Sequence, residues 1–194
     1  MALSDPRSDL HGYLKEARAA LRWKLDGLGE YELRRPMTPT GTNLLGTVKH
    51  VAIMEVAYFG ATFGRPFAEP MPWLEDDALS NSDLWVTADE STGWVLGLYE
   101  RACHHADQTI EALPLDAVGD VRWWTTPHQT LHKILVHMVA ETHRHAGQLD
   151  IVREAIDGSA GYMPGDECMP DEGAIWWSEY RAQVEAAALQ AAAL

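Results

Sequence analysis

The sequence is poor in the residues that staple a small protein. It has 2 cysteines in 194 residues, Cys103 and Cys168, with no C-x-x-C spacing, which gives no basis for a disulfide framework or a thiolate metal site and suits a reducing compartment. Positive charge is scarce too: 15 Lys+Arg stand against 29 Asp+Glu, a formal net charge of -14. That balance opposes the counterion release behind nucleic-acid binding and repels anionic lipid, so neither is expected as a partner. No apolar run approaches the roughly 18 residues a membrane span needs. The start, Met1-Ala-Leu-Ser-Asp-Pro, lacks the basic and apolar regions of an export signal, so a soluble, cytoplasmic chain is expected. Also missing are an internal repeat and any convincing two-residue alternation, which leaves no half-buried sheet.

What is present is an ordinary globular composition, 46% hydrophobic and 23% charged, at a length that suits one domain over 1–194 at about 150 residues per domain. The apolar spacing predicts helices. From about Asp9 to Leu28, the residues Leu10, Leu14, Ala17, Leu21, Leu25 and Leu28 share one face. Pro36, Pro39 and Gly41 mark Tyr31 to Gly41 as a connector, with Thr40 or Thr42 as N-cap of a second helix over about Asn43 to Gly60. Its stripe is Leu45, Val48, Ala52, Val56 and Phe59, with His50 at the edge. From Gly64 to about Leu84, Pro66, Pro70, Pro72 and several acids destroy the period, giving a loop of a length often tied to function.

Thr87-x-x-Glu90 is a capping-box pattern ahead of a third helix that stops at Pro114. Thr126-Pro127-x-Gln129 precedes a fourth of roughly 30 residues that stops at Asp157-Gly158. A Gly/Pro-rich loop then leads to a fifth helix over Glu172 to Leu194, peripheral and anchored by Trp176, Trp177 and Tyr180. The fold class is therefore all-α: a four-helix bundle within about 9–158, with an additional C-terminal loop and helix over 159–194.

The chemistry-bearing pattern lies on the fourth helix. His137, Glu141 and His145 are spaced four apart; at about 100° per residue they drift by only about 80° over the whole ladder. Met138 and Leu149 beside them aim the ladder partly inward, and a carboxylate on such a face needs a partner, which a metal ion would supply. A site closes only when another segment adds a ligand, and His50 is the best placed to do so. The plainer alternatives stand alongside. A lone His at an apolar margin is more often a hydrogen-bonded core residue, and His137 reads equally as ligand, ligand-supporting group or packed core. His104, His105, His128, His132 and His143 read as solvated or helix-terminal, and His11 as surface. The eight tryptophans are most simply packing residues, with Trp73 or Trp85 as a lesser candidate for a substrate wall.

The segments Thr42-Asn-Leu-Leu-Gly-Thr-Val-Lys-His50 and Leu135-Val-His-Met-Val-Ala-Glu141-Thr-His-Arg-His145-Ala-Gly-Gln148 resemble the DinB-like superfamily of metal-binding four-helix bundles, and within it the actinobacterial branch of mycothiol-dependent transferases. The resemblance covers roughly Asp9 to Gly158. It implies a metal held by His50, Glu141 and His145, with His137 in a supporting or packing role. His143 and Gln148 stand where the branch pattern has Ala and His.

What the resemblance implies is a divalent-metal-dependent S-transferase that activates a low-molecular-weight thiol, mycothiol or a relative, for attack on an electrophile. Zn²⁺ is the default ion, with Ni²⁺, Fe²⁺ or Mn²⁺ as alternatives, and the protein's own cysteines need take no part. A mycothiol-dependent isomerase and a non-enzymatic metal-binding stress bundle are the competing readings. The isomerase would want pocket cations, for which Arg144 is the one local candidate. Relatives in the superfamily commonly pair, so a homodimer is expected on the same ground.

Overall fold

A computed structural model describes residues 5–163, 165 and 169–193; Cys168 lies outside them. Among the described residues there are six α-helices and one short hairpin. Helix α1 (Pro6–Trp23) begins where the Asp5 carboxylate accepts the Ser8 N–H, with proline in the first turn. It ends before the predicted Leu28, and Leu25 and Leu28 join the core from the turn that follows. The expected connector contains a one-turn helix, α2 (Glu30–Arg34), that stops short of Pro36.

Helix α3 (Leu44–Phe59) is capped by Asn43, whose Oδ1 accepts the Gly46 N–H at 2.7 Å. Thr40 and Thr42, the predicted caps, belong to the preceding turn, where Thr38 Oγ1 accepts the Thr42 N–H and meets both their hydroxyls. Helix α4 (Thr92–Ala112) is capped by Ser91. The predicted Thr87–Glu90 pair does form, with Glu90 Oε2 accepting the Thr87 N–H at 2.8 Å, but it closes the turn before the helix.

Two three-residue strands correct the strand-free expectation: β1 (Val118–Asp120) pairs antiparallel with β2 (His128–Thr130), Val118 opposite Thr130. Strands this short show no readable alternation. Because Thr126-Pro127 leads into β2, Thr130 and not Thr126 caps α5 (Leu131–Asp157). Gly158, at φ 80°, ends that helix as predicted. Helix α6 (Ala174–Ala192) buries none of its residues. Its expected anchors stack on one another, Trp176 and Tyr180 with centroids 5.3 Å apart, and not in the core.

Side-chain pairs give the helix directions. His11 meets Asp107 and Arg7 reaches the Glu111 carbonyl, so α1 and α4 are antiparallel. Leu14 packs with the start of α5 while Lys24 meets Asp150 near its end, so these two are parallel. His50 lies against His145 and Tyr58 against His137, so α3 and α5 are antiparallel. Lys49 meets Glu90 ahead of α4 and the Gly60 end of α3 lies by His105, so α3 runs parallel to α4. The bundle is up, down, down, up.

A parallel pair obliges the chain to return along about 24 Å of helix, which explains the long proline-rich segment 60–91: it is the crossover. Lys49, almost fully buried, fastens its far end by donating to the Ser82 and Trp85 carbonyls and the Glu90 carboxylate. Gly46 lets the Leu84 backbone lie directly on α3, where any Cβ would collide with it.

Helix α3 is the centre of the core. Every one of its residues is buried except His50 and Met54. Those two are four apart, so α3 is sealed on all sides but one strip, and that strip faces α5.

Candidate metal centre

His50 on α3 and Glu141 and His145 on α5 each offer one ligand atom, and these atoms all lie within 4.8 Å of one another. The His50 and His145 rings meet edge-on, centroids 5.0 Å apart.

The partners on the far side of each ring set what the near side presents. His50 Nδ1 is 2.6 Å from Asp83 Oδ2, and an ionised carboxylate only accepts, so Nδ1 carries the proton and Nε2 a lone pair. His145 Nδ1 is 2.9 Å from the Gln148 amide oxygen, which assigns the same tautomer. Its Nε2 is buried without a hydrogen-bond partner. Glu141 Oε1 lies 3.3 Å from that Nε2, but a carboxylate facing a lone pair has no proton to share. Burial, then neighbouring His50, hold the His145 imidazole below the usual histidine range, which keeps it in the neutral form a metal requires. Three electron-pair donors thus converge with no proton between them, an arrangement that a divalent cation satisfies.

Asp83 escaped the sequence reading because an acid in a proline-rich loop shows no period. Only the crossover brings it to His50, 33 residues away in the chain. Gln148, read as a departure from the family pattern, had one available signal: it lies three residues after His145, within reach on a helix.

His137 is not among the converging atoms. Its ring packs on Tyr58 and Trp124, at 4.8 and 4.9 Å between centroids. Of the two tryptophans suggested as a wall, Trp73 packs beneath Lys49 and against Trp94, and Trp85 is half-exposed with its carbonyl holding Lys49. Trp123 and Trp124, which the sequence did not single out, gather around Tyr58 farther along α3: both indole N–H groups donate to its hydroxyl. Arg144 is exposed.

His11 is buried, contrary to its surface reading, and belongs to a second charged cluster. Arg18 donates to both oxygens of Glu55, at 2.8 and 2.7 Å, and to Asp107 at 2.6 Å, while His11 meets Asp107 at 2.7 Å. The buried-carboxylate argument made for Glu141, which is partly exposed, applies in full to the completely buried Glu55. Beside this cluster the Cys103 thiol is pushed well above its ordinary range by burial, then by Glu55, which disfavours the thiolate form.

Four helices in this order and direction, with a His from the second long helix facing a Glu and a His four apart on the last, define a DinB-like bundle. A family model described as MST, mycothiol-S-transferase, matches residues 9–158, and the chain belongs to that family. No curated protein matches it. Among the described residues, no helix is long and apolar enough to cross a membrane.

Proposed function

We propose that the protein is a divalent-metal-dependent S-transferase that activates a mycothiol-like thiol for attack on an electrophile, with His50, Glu141 and His145 as the ligands. The observation that carries this reading is the convergence of two imidazole lone pairs and a carboxylate, with the buried His145 Nε2 left without a partner. When bound, a divalent ion, zinc by default, lowers the pKa of a coordinated thiol and holds it as thiolate near neutral pH.

The chain's own residues do the rest. Asp83 and Gln148 fix both rings with Nε2 inward. Glu141 supplies one negative charge, so a dication at the site keeps a net charge of about +1, which favours an incoming anion. The Glu141 side chain, 33% exposed against 16% for His50 and 11% for His145, marks the side from which a thiol can enter.

The test is elemental analysis of the purified protein, with thiol consumption measured in parallel for mycothiol, bacillithiol and glutathione. The expected result is about one divalent ion per chain and turnover fastest with mycothiol, both lost in His145→Ala. Retention of metal and turnover in that variant overturns the ligand assignment. Stoichiometric metal with no turnover across a broad electrophile panel overturns the transferase reading in favour of a binding bundle.

A further inference from the structure

The strip that holds the metal ligands does not end with them. Because α3 and α5 are antiparallel, the His50–His145 contact is followed, eight residues along each helix, by the Tyr58–His137 contact. At 1.5 Å per residue the two are about 12 Å apart along the α3–α5 contact, with Glu141 and the half-buried Met54 between them. The second contact is a box of rings. Trp124 and His137 meet at 81°, Tyr58 lies within 6 Å of both Trp123 and Trp124, and Trp123 is 54% exposed at the rim.

The hydroxyl at the centre of the box is unusual. Tyr58 Oη accepts from Trp123 Nε1 at 3.3 Å and from Trp124 Nε1 at 3.1 Å, which occupies both lone pairs. Its own proton has no acceptor among the described residues. The phenol is nearly buried and anchored twice, so the proton is an oriented donor with nothing yet to donate to.

We propose that Tyr58, Trp123, Trp124 and His137 form the subsite for the electrophile, and that it takes a planar conjugated carbonyl compound bearing an aryl group. The rings stack on the aryl group and Tyr58 donates to the carbonyl oxygen. The inference rests on the transferase reading for what happens next. The thiol sulfur bonds to the β-carbon and the alkene π pair moves toward the oxygen that Tyr58 holds. The proton lost from the thiol is returned through solvent to the α-carbon, so no oxidant or reductant is needed. Burial keeps His137 below the usual histidine range, presenting a neutral ring face.

Two measurements test this. Calorimetric titration with propiophenone, which lacks the alkene and does not react, reports binding to metal-free protein. Saturable binding is expected, weakened about three- to tenfold in Tyr58→Phe, weakened in Trp123→Ala, and unchanged in His50→Ala. The exposed position of Trp123 keeps the test decisive if Tyr58→Phe loses stability. The ratio of turnover with phenyl vinyl ketone to that with methyl vinyl ketone should exceed one and fall in both variants.

No saturable binding by the wild-type protein, or wild-type affinity in both variants, overturns the subsite. Binding that behaves as expected in a protein with no thiol turnover supports the subsite and removes the transferase reading alone.

Discussion

The bundle holds two clusters of charge and imidazole on opposite sides of α3, and they are built on opposite terms. In the cluster of His11, Arg18, Glu55 and Asp107, two carboxylates face a guanidinium and an imidazole, and every short distance joins a donor to an acceptor. In the cluster of His50, Glu141 and His145, the donors are turned outward to Asp83 and Gln148 and only acceptors remain inside. The first closes on itself and needs nothing added. The second is held open, and the residues that hold it open are as specific as the ligands. Composition does not separate the two, since both contain His and acid; the direction of the protons does.

The comparison can be broken from either side. The largest effect is expected from Arg18→Met, which strands the fully buried Glu55: a loss of about 3–5 kcal/mol in denaturant unfolding, with metal content per folded chain unchanged. Next comes the ion itself. At about a hundred times its dissociation constant, metal should add about 2.7 kcal/mol to wild-type stability, an increment that a chelator removes and that His145→Ala lacks from the start. A chelator-insensitive melt of metal-loaded wild type would remove the distinction.

Smaller again is Asp83→Ala, which touches no ligand atom but frees the His50 ring; metal affinity should fall about 10- to 100-fold by competition titration. Asp83→Asn keeps an acceptor and should recover part of that loss. The smallest is a pH effect on the closed cluster. Burial pushes the Asp107 carboxyl up, but Arg18 and then His11 outweigh it and hold the group below the usual range. A depressed folded value means this stabilisation is present above the unfolded value of about 3.9 and is lost as pH falls through the lower folded one. Asp107→Asn should therefore flatten the acid limb of the stability curve and leave the neutral region parallel to wild type.

The long helices were legible because each carries its own period and stop signal. Gly158 ended α5 where expected, and the ladder did place Glu141 and His145 on one face. The misses share a cause: they depend on partners distant in sequence. Asn43 won the cap over two threonines because those close another turn, and Thr126 lost its helix to a hairpin that exists only by pairing. His11 looked like surface until α4 brought Asp107 to it. Nothing in the sequence linked Asp83 to His50, because the link is the crossover. Tyr58 sits among the apolar residues of its helix with no sequence sign of a polar role, and only the indoles of Trp123 and Trp124 give its hydroxyl one.

The parallel setting of α3 and α4 also governs the order of assembly. Local contacts within α3, or between neighbouring turns, form early in a folding chain, whereas the crossover must be closed over its full length before Asp83 reaches His50. Helix α5 lies later still in the chain than either. The metal centre, with ligands on both helices, exists only once α5 has docked on α3. A nascent or partly folded chain offers scattered histidines and not a competent ion trap, so metal capture reports on completed folding.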